Sequence, residues 1–362
     1  MIDLPKYMAD NLADIMRTAH GSVLGNPREA RFALRMQHQL ARGERRRRQL
    51  LKREGLEVPP FLIASIATTC NLQCKGCYAR SNGLASDTPQ RDTLTPDQWH
   101  DIFAEAADLG FNVSLLAGGE PLTRRDLLER IAQVRDMLFP VFTNGTLIGP
   151  QYIDFFRRHL NMVPVISLEG DAGATDTRRG NGVYQRALMS MEMLRDAGLF
   201  FGTSITVTTR NKEAVTAHEY LQLLHSLGCR LVFYVEYVPI DESTADLAFG
   251  DDDVQWMEQT VDRLRGEMND MILVSFPGDE KMLGGCTAAG RGFFHIGPDG
   301  AAEPCPFSPH SDTNVATDGL RAALQSPLFR RLREASALSW EHTGGCTLFE
   351  HRDEVQAMLQ QA

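Results

Sequence analysis

No stretch of 18 consecutive apolar residues occurs in the 362-residue chain, so no segment has the length and composition of a membrane-spanning helix. An excess of positive charge is missing too. The formal net charge is -10, and nucleic acid is not expected as a general partner. The opening Met1-Ile-Asp-Leu-Pro-Lys lacks the basic-then-apolar pattern of a secretory signal, so the expected compartment is the cytoplasm. In that reducing setting the seven cysteines are poor disulfide candidates, and metal or cluster ligation is the default expectation. With 43% hydrophobic and 23% charged residues, the chain has the material for one large core or two unequal ones.

Three of the cysteines crowd one stretch, Cys70-Asn71-Leu72-Gln73-Cys74-Lys75-Gly76-Cys77-Tyr78, directly after the apolar run Phe61–Ile66. Iron–sulfur cubes are normally held by four thiolates, so a compact loop offering three leaves one iron to be completed from elsewhere. Zinc is the alternative. It prefers paired CxxC motifs or Cys/His mixtures, and no second pair follows nearby. The spacing CxxxCxxC followed by an aromatic residue resembles the signature of the radical S-adenosylmethionine (radical SAM) enzymes. That resemblance implies a [4Fe–4S] cluster on Cys70, Cys74 and Cys77, with the open iron chelated by the amino and carboxylate groups of SAM.

Residues 1 to 58 read as a helical extension, with apolar positions at Leu12, Ile15, Met16, Phe32, Leu34, Met36 and Leu40. Arg45, Arg46, Arg47 and Arg48 are consecutive and point all around such a helix. The favoured expectation is a solvated face; contact with an acidic or phosphate partner is the other. Pro59-Pro60 ends the segment. From there short apolar strands alternate with amphipathic helices, the pattern of repeated βα units on a parallel sheet. The expected strands are 61–66, 112–116, 140–142, 164–168, 201–207 and 231–237. Helices are expected near 96–109, 126–137, 150–159, 184–197 and 213–227, the first with Thr95 as cap and Pro96 in its first turn. Six units are too few for a closed eight-stranded barrel. The expected fold class is therefore α/β, a partial (β/α)6 TIM barrel over 59–245, as the radical SAM resemblance implies. A helical linker is expected over 246–280 and a small C-terminal domain over 281–362.

In βα architectures the reactive groups sit at the carboxyl ends of the strands. The cysteine loop follows the first expected strand, and Gly118-Gly119-Glu120-Pro121 follows the second. The glycines let backbone approach a ligand closely, and Glu120 offers an acceptor for a cationic amine. At that position the segment resembles the one by which radical SAM enzymes bind the methionine amino group. Thr143-Asn144-Gly145-Thr146, after the third strand, reads as an Asn-Gly turn. After the fourth come Ser167 and the pair Arg178-Arg179. Matched to radical SAM enzymes that mature peptides or sulfatases, Ser167 takes the SAM ribose and Arg179 its carboxylate, which guanidinium grips through two parallel hydrogen bonds. Arg178 is the substitute for Arg179. Glu236, Tyr237 and Asp241 end the sixth unit and are candidates to face substrate.

Farther on, Cys286 and Cys305 flank two extended runs around Gly297-Pro298-Asp299-Gly300, a hairpin with strong turn chemistry. The spacing C-x13-G-x4-C resembles the opening of the SPASM domain, a C-terminal extension carrying auxiliary iron–sulfur clusters. A full SPASM domain continues with several closely spaced cysteines, whereas only Cys346 follows here. The shortened twitch variant is therefore the closer likeness, and it implies one auxiliary [4Fe–4S] cluster on Cys286, Cys305 and Cys346. The fourth ligand is open among His310, His342, His351 and the substrate itself. Cys229, between a helix and a strand, reads as a packing residue.

The resemblance implies reductive cleavage of SAM to a 5′-deoxyadenosyl radical, hydrogen abstraction from a substrate C–H bond, and an electron donor such as a flavodoxin or ferredoxin. An oxidative, maturase-like modification of a peptide or protein is the favoured expectation, and a small metabolite or lipid the alternative. Peptide maturases often carry a leader-binding winged-helix module, and residues 1–58 show no strand pattern for one. A non-catalytic electron-transfer protein is the competing class; it leaves Glu120, Ser167 and Arg179 without a shared purpose.

Overall fold

The computed structural model describes residues 27–88, 93–240, 242–276, 285–335, 337–339 and 346–360. Leu12, Ile15, Met16, Asp241 and His342 lie outside these residues. Seven parallel strands run β1 (Phe61–Ala67), β2 (Val113–Gly118), β3 (Phe139–Thr143), β4 (Met162–Leu168), β5 (Gly202–Val207), β6 (Leu231–Glu236) and β7 (Ile272–Phe276). They lie side by side in chain order, and helices fill the connections. On the far side of β1 a hairpin adds β8 (His295–Ile296), parallel to β1, and β9 (Ala302–Glu303), antiparallel to β8. Among the described residues the sheet does not close on itself; β7 and β9 are its edges. The result is a partial (β/α) barrel.

Local sequence accounts for much of this. The β1 run Phe-Leu-Ile-Ala-Ser-Ile-Ala is covered on both faces, as a strand inside a parallel α/β sheet must be. Helix Pro96–Leu109 opens with a capping box between Thr95 and Gln98 and stops at Gly110, whose φ of 99° suits glycine. The single helix expected over 213–227 is two, Lys212–Val215 and His218–Ser226. At the break the Thr216 hydroxyl donates back to the Lys212 carbonyl (2.7 Å), a bond that competes with helix continuation.

Two sequence expectations need correction. The stretch 246–280, expected as a helical linker, carries helix Asp251–Glu267 and then β7, which pairs with all of β6 from Leu231 to Val235 and so belongs to the barrel. The arginine run is not simply a solvated face. Arg47 is buried and donates to the Gly110 carbonyl and to Asn112 Oδ1 (2.7 Å), while Arg46 reaches the Asp108 carbonyl (3.2 Å). Burial pulls the Arg47 pKa down to about 10, still well above neutrality. The run docks helix Pro27–Glu54 onto the turn before β2. Farther up that helix, Phe32, Met36 and Leu40 pack on Val113, Leu138 and Val163, at or beside the amino ends of β2, β3 and β4. The helix thus covers the barrel floor, opposite the loops that follow the strands.

The C-terminal hairpin is joined to the barrel. Ile63 and Ala64 pair with His295 and Ile296, Phe61 stacks on Phe293 (5.3 Å between centroids), and one continuous apolar core runs from Trp99 and Phe139 to Phe294, Phe329 and Leu348. Inside the junction the buried His295 ring bonds Ser65 Oγ through Nε2 (2.8 Å) and Glu303 Oε2 through Nδ1 (2.6 Å). This network ties β1, β8 and β9 together. Arranged like a hydrolase triad, it is sealed inside the sheet and works as a clasp.

Candidate active site

The carboxyl end of β1 turns into the cysteine loop, and several neighbours fix its path. Cys70 N donates to the Ser86 carbonyl (3.1 Å) and Lys75 N to the Arg178 carbonyl (2.8 Å). The Arg80 guanidinium reaches back to the Leu72 and Cys70 carbonyls (2.8 and 3.3 Å) and pairs with Asp87. Asn71 donates to Thr146 Oγ1 and accepts from Asn144 Nδ2, both at 2.9 Å. Thr143–Thr146, legible in sequence only as a turn, is therefore a brace for the loop.

Glu120 is buried and accepts on Oε1 from Leu122 N (3.0 Å) and Thr143 Oγ1 (2.7 Å), and on Oε2 from Asn144 N (2.8 Å). Burial raises its pKa, and those three donors pull against the rise. A carboxylate has about four acceptor positions, so one on Oε2 stays open for a cation. The two glycines before it serve backbone packing. Gly119 N donates to the Ala67 carbonyl and Glu120 N to that of Thr69 (2.6 and 2.7 Å), and a Cβ on Gly119 would stand 2.2 Å from the Thr69 oxygen. The approach they permit is to the root of the cysteine loop.

Arg178 and Arg179 both hold the buried Glu169, through Nη1 (2.6 Å) and Nε (2.8 Å). Sequence reasoning missed Glu169, since a carboxylate after a strand carries no mark of its partner. Burial raises the Cys74 thiol pKa, and Arg179 and Arg178 are the charges that lower it again. Burial also pushes the Cys70 thiol up to about 11, with Glu120 adding to the rise against a hydrogen bond from the Leu72 backbone. Tyr237, just past β6, packs its ring over Gly76, whose φ of 67° and lack of a side chain leave the space.

These groups face a cavity of about 1250 Å³. Cys70, Cys74 and Cys77, Gly118 to Glu120, Ser167, Arg178 and Arg179 line its upper part, with Glu236 and Tyr237; Pro121 is buried just behind. Lower down the wall is apolar, with Phe142, Phe233 and Val235. Pro306 and Phe307, from the turn carrying Cys305, close another side.

The second thiol group lies behind that turn. A hydrogen bond with Cys346, then burial, raise the Cys305 thiol strongly, and Cys286 is close enough to add to the effect. All three cysteines are buried. Arg291 donates to the Gly285 and Cys286 carbonyls (2.8 and 3.0 Å), much as Arg80 does in the first loop. Tyr78 stands between the groups: Cys77 and Cys305 both act on its hydroxyl, and its ring lies 4.9 Å from that of Phe307. Cys229 is engaged elsewhere, with Thr203 Oγ1 (3.4 Å) and the Leu231 carbonyl (3.3 Å). Among the described residues no three His, Cys, Asp or Glu side chains converge as a single-ion site. Thiolates on one zinc would lie within about 3.8 Å of each other, whereas a cube spreads its thiolates over separate irons. Cys305 and Cys346 are close enough to hydrogen-bond, but no third ligand joins them at one point, so neither group has the donor set of a closed zinc site among the described residues.

Among the described residues no helix is long and apolar enough to cross a membrane. Residues 64–229 match the family model described as the Radical SAM superfamily. The chain is 27% identical over 321 residues to the AdoMet-dependent heme synthase of Methanosarcina barkeri, covering 81% of this chain and 89% of that protein. To the mycofactocin maturase MftC of Mycolicibacterium smegmatis it is 27% identical over 323 residues, 83% and 77% of the respective chains. The crystal structure of Streptococcus suis SuiB bound to S-adenosylmethionine superposes with a TM-score of 0.65 at 17% identity, over 82% of this chain and 73% of that one, a likeness of fold. With its partial barrel and three thiols at the carboxyl end of β1, the chain carries a radical SAM domain over residues 64–229, the domain of enzymes that use a [4Fe–4S] cluster and S-adenosylmethionine.

Proposed function

We propose that Cys70, Cys74 and Cys77 hold the [4Fe–4S] cluster that engages SAM, and that Cys286, Cys305 and Cys346 hold an auxiliary [4Fe–4S] cluster. The reaction proposed is an oxidative, maturase-like modification at a C–H bond of a peptide or protein. One observation carries it: the first cysteine group and the turn bearing Cys305 border a single cavity. When bound, the first cluster supplies one electron to SAM and thereby a 5′-deoxyadenosyl radical that takes hydrogen from carbon. The protein's part is binding, orientation and exclusion of water. Glu120 offers its remaining acceptor position to the SAM ammonium, beside the backbone of Gly118, Gly119 and Pro121. Arg179, with Arg178 beside it, takes the carboxylate, and Glu169 keeps both guanidinium groups aimed. Ser167 faces the ribose. The apolar wall of Phe142, Phe233 and Val235 excludes water from the space a substrate would enter.

A small-molecule substrate is the second reading. The match to the AdoMet-dependent heme synthase over 81% of this chain and the apolar lower cavity favour it. The test of the shared chemistry is anaerobic reconstitution with dithionite and SAM. 5′-Deoxyadenosine and methionine are expected from the native chain and not from the Cys70→Ala/Cys74→Ala/Cys77→Ala variant; no 5′-deoxyadenosine from the native chain sinks the proposal. Deuterium passed into 5′-deoxyadenosine from a labelled candidate peptide, or from a labelled tetrapyrrole, then separates the two substrate classes.

A further inference from the structure

The auxiliary thiols leave one iron of a cube without a protein sulfur. Six of the seven cysteines are assigned, and Cys229 is held by Thr203 and Leu231 on the far side of the barrel. The missing ligand must therefore be oxygen, nitrogen or an outside molecule. Of the histidines considered from sequence, His351 faces Glu354 (3.6 Å), and His310 is half-buried beyond the Cys305 turn.

The turn itself offers a closer group. Cys305 and Ser308 form an isolated antiparallel bridge, Ser308 N donating to the Cys305 carbonyl (2.9 Å). Residues directly opposed in an antiparallel pair project their side chains to the same face, with Cβ atoms about 4.5–5.5 Å apart. The Ser308 hydroxyl is thus on the side of the Cys305 thiol. Ser308 is 1% exposed, and its Oγ has no hydrogen-bond partner among the described residues. Native folds rarely bury a hydroxyl with nothing to bond, and such a group points to an absent partner.

Resting on the reading that Cys286, Cys305 and Cys346 hold a cluster, we infer that Ser308 Oγ is the fourth ligand of the auxiliary [4Fe–4S] cluster. As the oxygen–iron bond forms, the hydroxyl proton leaves to solvent, and no electron is transferred. An oxygen-ligated iron leaves no open position for substrate, so the auxiliary cluster acts by electron transfer and does not bind substrate at iron.

The test uses the full chain with Cys70→Ala/Cys74→Ala/Cys77→Ala, which leaves the auxiliary site alone, and cyanide as the probe. With Ser308 present, about four irons per chain are expected, with a reduced-state EPR signal that cyanide does not alter. Ser308→Ala should give either a cyanide-responsive signal or three irons. Ser308→Cys should keep four irons and cyanide resistance while shifting the EPR g-values; it carries the test if the alanine variant does not fold. A Ser308→Ala chain with four irons and no cyanide response overturns the assignment, as does a Ser308 chain that already responds, or a Ser308→Cys spectrum identical to that with serine. A Ser308 chain that folds but takes up no iron overturns the auxiliary cluster itself, a failure distinct from these.

Discussion

Replacing Gly119 by alanine tests how the cysteine loop is positioned. The added Cβ would stand 2.2 Å from the Thr69 oxygen and 2.6 Å from its carbon, both backbone atoms, which have no rotamer to escape into. Gly119 is not in the left-handed region, in contrast with Gly118 at φ 117°, so the substitution probes close approach without conformational strain. Relief requires the chain at Thr69 to retreat by about 1 Å, and Cys70 is the next residue. Overpacking of this kind costs about 1–3 kcal/mol of stability, and a misplacement of about 1 Å near reacting groups costs about 100-fold in rate. In a Cys286→Ala/Cys305→Ala/Cys346→Ala background, Gly119→Ala should lower the iron bound per chain. In the otherwise native chain it should slow 5′-deoxyadenosine formation by about that factor. Gly149→Ala, where no described residue lies within 4 Å of the added Cβ, is the control. Native iron content and native rate in Gly119→Ala would refute the argument that these glycines set the loop.

Arg47→Ala strips buried acceptors at Gly110 and Asn112 of a charged donor; a loss of about 1.5–3 kcal/mol is expected in urea unfolding, against less than about 0.5 for the exposed Arg45→Ala. His295→Ala leaves Glu303 buried without its partner, at about 3–5 kcal/mol, and Ser65→Ala costs about 1 kcal/mol. A loss below about 1 kcal/mol for His295→Ala would rule out the clasp. Glu120→Gln sets an amide N–H against one of three donors and removes the charge facing the SAM ammonium. Affinity for SAM by anaerobic equilibrium dialysis should fall about 10- to 100-fold, and unchanged affinity would remove Glu120 from the SAM pocket.

The elements with local signals were legible. The first six strands fall within two residues of expectation at each end, because buried parallel strands are short apolar runs set off by polar or glycine-bearing turns. The capped helix at Pro96 matches at both ends. What escaped depends on distant partners. Ile272-Leu-Val-Ser-Phe276 has strand composition, but following a long helix it reads as linker; only its pairing with β6 decides. In the arginine run successive residues turn by about 100° around the helix, and nothing local says that Arg47 is the one facing Asn112. Ser65 and His295 meet across 230 positions. The Gly118-Gly119 pair was recognised as a close approach, but its partner, the Thr69 backbone, was not.

Strand pairing also governs how the two thiol groups relate. β1 leads into Cys70, and its other neighbour, β8, belongs to the hairpin that leads through β9 to Cys305. The register of Ile63 on His295 and Ala64 on Ile296 therefore sets the spacing between the groups, with the Ser65–His295–Glu303 network to hold it. A slip by one residue would turn His295 to the other face of the sheet and break both its bonds. The C-terminal segment is then part of the barrel's stability as well as the bearer of the proposed auxiliary cluster. A chain ending at residue 276 would lose the strand beside β1, the Phe293 ring stacked on Phe61 and the Phe294 ring against Phe111. It would present an unpaired apolar edge, the kind that pairs with other chains. Such a truncation is expected to aggregate on purification even with Cys70, Cys74 and Cys77 intact, whereas the full-length Cys286→Ala/Cys305→Ala/Cys346→Ala chain, with every strand pair kept, should stay monodisperse by light scattering. A monodisperse truncated chain that still forms its first cluster would show the barrel to be independent of the hairpin.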